Sequence, residues 1–206
     1  MSRAKSQAGV PKGWPGTTVY LHAPRYSTKL SKEKKDALLP AKSDLPADTQ
    51  ALKANGPYQN VKIQPISNPS HPANGQHGLF ANQHLPPDTF ILPYLGFVHD
   101  QEETDETSDY DLSLDREHFI AVDASKMGNE ARFLNDYRGV STAQNAEFRD
   151  CYIISANGKV EKTIGIFVLS AGKNKSAKRA KGIARGDEIL ISYGKGFWTE
   201  RQTTED

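Results

Sequence analysis

Gly128-Asn129-Glu130-Ala131-Arg132-Phe133-Leu134-Asn135 sits near the middle of the chain, shortly after Val122-Asp123-Ala124. Near the end sits a second run, Gly186-Asp187-Glu188-Ile189-Leu190-Ile191-Ser192-Tyr193-Gly194. Either run alone is a modest pattern. What joins them is the texture between. Ala146 to Ser155 and Thr163 to Ser170 read as strands connected at Asn157-Gly158, a dipeptide suited to the positive φ of a tight hairpin turn. Glu188 to Ser192 reads as a last strand.

Working outward, Val61-Lys62-Ile63-Gln64-Pro65-Ile66 alternates with period two, as a strand with one solvated face does. Leu79-Phe80-Ala81 and Thr89 to Gly96 are also extended, separated by a turn at Pro86-Pro87-Asp88. His99 to Asp109 carries Asp100, Glu102, Glu103, Asp105, Glu106 and Asp109 and no large apolar residue, so it reads as a loop. Asp111 to Val122 is again β-like. Ser31 caps a predicted helix that holds Glu33 in its first turn and stops at Pro40. A second helix is expected from about Pro46 to Ala54, ended by Asn55-Gly56. Trp14, Val19, Tyr20, Leu21 and Tyr26 put more apolar surface in the first residues than a solvated tail carries. Many short strands with few helices make a mainly β chain of open or curled architecture.

Bulk properties narrow the class. The chain has 206 residues, of which 36% are hydrophobic, and its mean hydropathy is −0.65. Lys and Arg number 26 and Asp and Glu 25, so net charge drives it neither to nucleic acid nor to a membrane. The single cysteine, Cys151, excludes an internal disulfide and a cysteine-based zinc cluster. No apolar run approaches the roughly 20 residues that cross a bilayer. The polar start, Ser2 to Gln7, lacks the apolar stretch of a secretory signal. A soluble intracellular protein is expected.

The two glycine-bounded runs, in this order, resemble the C-terminal signatures of SET-domain protein-lysine methyltransferases. The resemblance covers roughly Lys62 to Trp198. It adds Gly75-Gln76-His77-Gly78-Leu79-Phe80-Ala81 as the family's first glycine turn and Tyr94-Leu95-Gly96 as its Tyr-x-Gly strand end. The fold it implies is the β-clip of SET proteins: several small curved sheets around a knot-like C-terminal segment, with short helices. The implied division is an arm over 1–57, partly helical and partly mobile, a SET domain over 58–198 and a tail over 199–206. With one cysteine, this is the small type without a cysteine-rich post-SET zinc segment, and no metal is expected.

The resemblance also assigns a site. S-adenosylmethionine is the implied cofactor, held by Gly78, Leu79, Arg132, Phe133, Asn135, Asp136 and Trp198. Tyr193 aligns with the catalytic tyrosine. Tyr110, Phe148, Ile191 and Phe197 are the implied walls of a substrate-lysine channel, and Ile191, without a hydroxyl, implies room for a lysine already methylated. The chain departs from the family at four places. Gln76 stands at the expected first glycine. Asp136 replaces a histidine. A longer loop with Gln144 precedes the second asparagine, Asn145. A basic run, Lys173 to Lys181, is inserted before the final motif.

The implied partner is a protein with a basic tail, a histone by default, and the implied location is nuclear, with cytoplasmic residence as the alternative. The acidic residues from Glu102 to Asp111 suit such a tail, or form a solvated loop. The Lys173–Lys181 run suits nucleosomal DNA phosphates, or is a solvated loop. Two rivals to the enzyme remain: a SET-fold binding module that lost catalysis, and a β-rich nucleic-acid-binding protein using the basic run.

Overall fold

A computed structural model describes residues 9–46, 49, 51–154, 158–172 and 181–194. Among these, fourteen strands form five small sheets. This is the mainly β, curled architecture that the sequence implied.

Three sheets involve the first sixty residues. β1 (Val19–Tyr20) runs parallel to β10 (Met127–Gly128). β2 (Arg25–Tyr26) edges a four-stranded sheet with β7 (Phe97–Asp100), β9 (Ile120–Asp123) and β8 (Asp111–Asp115), in the order β2-β7-β9-β8. β3 (Leu52–Lys53) pairs with the end of β12 (Ala146–Ile154), which forms a long antiparallel ladder with β13 (Val160–Val168); β6 (Phe90–Pro93) closes that sheet. The arm is thus hydrogen-bonded into the sheets. Leu52 packs beside Ala54, Leu95 and Ile153, so the helix expected over 46–54 gives way to a strand at its end. Local propensity is weak enough for such pairing to override it.

The helix α1 (Lys32–Leu38) forms as its caps predict. Ser31 Oγ accepts from Lys34 N at 3.2 Å, and Leu38 is fully buried. β4 (Val61–Pro65) pairs with β5 (His77–Ala81), and its inward residues Val61 and Ile63 are the buried ones. The expected loop over 99–109 is shorter than the charge pattern suggests, because His99 and Asp100 belong to β7 and are buried. Their partners are distant in sequence: Lys34 Nζ lies 3.1 Å from Asp100, and Asp111 lies 3.3 Å from His99 Nε2. β13 starts at Val160, earlier than its apolar run suggests, and Asn157 of the expected turn lies outside the described residues.

The C-terminal segment is gripped from both sides. β11 (Asn135–Asp136) runs parallel to β14 (Leu190–Ile191). On the other side Ile189 N donates to Leu79 O at 2.8 Å, and Ala81 N to Asp187 O at 2.9 Å. Asn145 secures the junction with both ends of its amide: Nδ2 donates to Glu188 O at 2.7 Å, and Oδ1 accepts from Leu190 N at 2.8 Å. Ile189, Leu79, Ala81, Ile166 and Leu92 fill the core beneath.

Candidate active site

The Gly-Asn pair shows why the first run needs those residue types. Asn129 is fully buried, its Oδ1 accepting from Leu95 N at 3.2 Å and its Nδ2 donating to Pro93 O at 2.8 Å. A Cβ on Gly128 would stand 2.9 Å from Leu95 O, too near for any side chain. The run is thereby tied to the end of β6. From there the short 3₁₀ turn Glu130–Phe133 delivers Asn135 and Asp136 to β11.

A cavity of about 1100 Å³ opens at this point. Tyr193, Asn135, Asp136, Arg132 and Phe133 line it, together with Tyr110, Phe148 and Ile191. Residues quoted far apart in the sequence therefore converge. Tyr193 Oη donates to Leu134 O at 2.7 Å, and Tyr193 N donates to Asp136 Oδ2 at 2.7 Å. Asp136 also accepts from Arg138 N and from its guanidinium, each at 2.8 Å. The carboxylate that stands where the family has histidine is thus part of the backbone anchoring of Tyr193. Burial, and then the neighbouring Tyr110, Asp136 and Asp109, push the Tyr193 phenol well above its ordinary pKa. It stays protonated near neutral pH.

Arg132 is aimed by backbone. Its Nε donates to Ala124 O at 3.0 Å and an Nη to Ser125 O at 3.2 Å, with the guanidinium 4.7 Å above the Tyr110 ring. Tyr94 of the Tyr-x-Gly strand end is buried, donates from Oη to Tyr110 O at 2.8 Å and also faces the cavity. Phe148 meets its ring edge-on at 6.0 Å. Tyr94, Tyr110 and Phe148 thus form an aromatic cluster on the cavity wall, and Ile191 lines it beside the polar residues Asn135, Asp136 and Arg138.

Gly78 and Leu79 do not line the cavity. Leu79 is fully buried in the core. A Cβ on Gly78 would come within 2.5 Å of Glu188 Oε1 and 3.1 Å of Asn135 Nδ2, so the bare backbone makes room for those two side chains. Phe197, Trp198 and residues 173–180 lie outside the described residues. Among the described residues there is no cluster of three or more potential metal ligands, and no helix is long and apolar enough to cross a membrane.

Three groups escaped the sequence reading. Pro15, Thr17 and Thr18 of the arm line the cavity, because Trp14 packs edge-on against Tyr20 at 5.0 Å and Phe133 at 5.6 Å. Glu130, buried, accepts from Tyr20 Oη at 3.0 Å and Tyr58 N at 2.9 Å, tying the arm to the first run. Glu188 accepts from Asn135 Nδ2 at 2.8 Å and contacts His71 Nε2 at 3.0 Å. The aromatic content of the arm hinted at packing; nothing in Asn68-Pro69-Ser70-His71 pointed to the site.

Comparison with curated proteins returned no match. Among solved structures, the chain is similar to the Chaetomium thermophilum polycomb repressive complex 2, with 23% identity and a TM-score of 0.48 over 71% of this chain and 16% of that one. A second structure, of the same complex in an autoinhibited conformation bound to S-adenosylmethionine, gives 23% identity and a TM-score of 0.48 over 75% of this chain and 17% of that one. The chain therefore spans about a sixth of the length of the chains it matches. The sequence profile of the SET domain matches residues 76–194. That interval holds both glycine-bounded runs and more than half of the sequence, and by it the chain belongs to the SET domain family.

Proposed function

We propose that the chain transfers methyl groups from S-adenosylmethionine to lysine side chains of a protein with a basic tail, a histone being the expected class, in the nucleus. One observation carries this reading: Tyr193 and Asn135 line a single cavity whose wall holds both polar side chains and the aromatic rings of Tyr94, Tyr110 and Phe148.

The residues present fit such a cofactor. Asn135 Oδ1 has no protein partner among the described residues and offers an acceptor to an ammonium group. Arg132, Asn135 and Asp136 would hold the amino-acid and nucleoside parts, and Phe133 and the arm residues Thr17 and Thr18 would wall them. When bound, S-adenosylmethionine supplies an electrophilic methyl group on a sulfonium.

The rest is positioning by this chain. A charged ammonium has no lone pair, so a substrate lysine must enter neutral. Enclosure among Tyr94, Tyr110, Phe148 and Ile191 disfavours its charged form. Tyr193 does not serve as the base, because its phenol is held protonated and its hydrogen is committed to Leu134 O. The phenol oxygen contributes instead by C–H···O contacts, worth about 0.5–1 kcal/mol each. Alignment of the reacting atoms supplies the larger part, roughly 7–11 kcal/mol.

β8 is the outer strand of its sheet, and its Asp111 and Leu112 face the cavity, which supports a substrate segment added along that edge. Asp109 and Asp111 stand at the cavity, where a basic tail would meet them. The Lys173–Lys181 run is offered as a contact to DNA phosphates.

Incubation of the full chain with labelled S-adenosylmethionine and core histones tests the reading. Label on histone lysine that disappears in Tyr193→Phe is the expected result. Cofactor binding without transfer to any basic protein would favour the binding module instead. Salt-sensitive DNA binding with no cofactor uptake would favour the nucleic-acid reading.

A further inference from the structure

We infer that Glu188 and His71 are positioning residues that lock the Asn135 amide with its oxygen toward the cavity, so that the site selects a ligand bearing a cationic amine beside its nucleoside. The inference rests on the cofactor reading above and specifies how one end of that cofactor is recognised.

An asparagine amide has two faces of nearly equal shape, one a donor and one an acceptor, and only its partners decide which points where. Asn135 Nδ2 is fixed by two acceptors, Glu188 Oε1 at 2.8 Å and His77 O at 3.4 Å. Both are acceptors only, so the reverse amide orientation would set an oxygen against two oxygens. The acceptor face of Asn135 is therefore turned away from them.

Glu188 is itself held. Its side chain is 9% exposed, and its other oxygen lies 3.0 Å from His71 Nε2, a ring 7% exposed. His71 Nδ1 accepts from Ala73 N at 3.0 Å, so the ring proton sits on Nε2 and is donated to Glu188. The backbone N–H of Ala73 thus sets the histidine tautomer, the histidine sets the carboxylate, and the carboxylate sets the amide. Gly78 completes the clamp, since a Cβ there would press on Glu188 Oε1 at 2.5 Å and on Asn135 Nδ2 at 3.1 Å. The backbone of Glu188 is also pinned, its carbonyl accepting from Asn145 Nδ2 at 2.7 Å.

Glu188→Gln breaks this chain of donors and acceptors with little change in volume. If the new carboxamide turns its oxygen to Asn135, its NH₂ meets the Nε2 proton of His71. A switch of the ring proton to Nδ1 would then face Ala73 N–H. If it turns its oxygen to His71, its NH₂ meets the NH₂ of Asn135, and the Asn135 amide flips a donor toward the cavity. The first arrangement sets donor against donor, and the flip that relieves the second sets the Asn135 oxygen against His77 O.

The experiment is titration calorimetry of the full chain and of Glu188→Gln with two ligands. S-adenosylhomocysteine carries the amino-acid end and 5′-methylthioadenosine lacks it. The expected result is a Kd for S-adenosylhomocysteine raised at least about 10-fold in the variant, with the Kd for 5′-methylthioadenosine within about 2-fold. Equal weakening of both ligands, or of neither, overturns the inference while leaving the cofactor reading intact. Failure of the unaltered chain to bind S-adenosylhomocysteine overturns both. A wild-type comparison that needs no variant uses S-adenosylhomocysteine against its analogue lacking the α-amine. Loss of at least about 10-fold is expected, and equal affinity overturns the oriented acceptor.

Discussion

Tyr193 Oη lies 2.7 Å from the carbonyl oxygen of Leu134, the residue immediately before Asn135. The tyrosine hydroxyl is thus aimed by the same short segment whose next side chain, Asn135, lines the same cavity. Asp136, one residue further on, accepts from Tyr193 N. Leu134 and Asp136, on either side of Asn135, therefore register the tyrosine against it, and the parallel pairing of β11 with β14 holds that register.

Removal of the hydroxyl should separate chemistry from binding. Tyr193→Phe keeps the ring and the backbone bond to Asp136 but loses the oriented oxygen. Transfer at saturating cofactor should fall on the order of 100-fold, as when one positioned polar group is removed from other active sites. Affinity for S-adenosylhomocysteine should stay within about 3-fold. Single-turnover rates with labelled cofactor, set beside calorimetric Kd values, measure both; retained rate with lost affinity would place Tyr193 in binding instead.

The arm should be inseparable from the site. Trp14 Nε1 donates to Thr18 O at 2.8 Å, and its ring packs on Tyr20 and Phe133. Trp14→Ala should cost about 3 kcal/mol of stability, near the low end for a large aromatic truncation because the side chain is only partly buried. Urea unfolding measures this directly. A chain starting at Tyr58 loses β1, β2 and β3 together with the Tyr20–Glu130 bond, and should fail to show a cooperative thermal transition.

What was legible in the sequence was local or motif-borne. Ser31, Glu33 and Pro40 marked a helix because caps act within one turn. Val61 and Ile63 marked a strand because the pleat alternates. Asn135 and Tyr193 were legible only as members of a known pattern, since an isolated amide or phenol announces nothing. The misses share one cause, which is pairing across long sequence separation. His99 and Asp100 looked like loop because their partners, Asp111 and Lys34, stand on other elements. Leu52–Lys53 looked helical because its partner strand lies a hundred residues away. His71 and Glu188 are joined only once β5 brings their segments together.

Acid should weaken the contact between β8 and β13 in a defined window. Burial alone would raise the Asp115 carboxyl, but Lys162 Nζ at 2.8 Å and His118 N at 3.0 Å outweigh it and hold its pKa well below the usual carboxylate range. A carboxyl lowered on folding stabilises the fold above its unfolded value, about 3.9, and that contribution fades as pH falls below it. Asp115→Asn should therefore cost about 1–3 kcal/mol at pH 7 and progressively less from pH 4 downward. Urea midpoints of both proteins across pH 2.5–7 measure this. A constant difference over the range would show that the residue acts by packing and not by charge.

Product multiplicity should follow the room left in the cavity beside Ile191. Ile191 is 1% exposed, faces the cavity and carries no hydroxyl. The wild-type channel therefore has no oxygen at that position to hold a water where a second methyl would sit, and exhaustive turnover should give dimethyl or trimethyl lysine. Ile191→Tyr adds bulk and a hydroxyl and should shift the product toward monomethyl. The larger ring will also strain a well-packed site by about 1–3 kcal/mol, so the variant must be assayed well below its melting temperature. Intact-mass spectrometry of the substrate, followed to completion with both proteins, reads the outcome. Monomethyl product alone from the wild type would show that another group closes the channel, with Tyr94 and Tyr110, whose rings already flank it, the first to replace with phenylalanine.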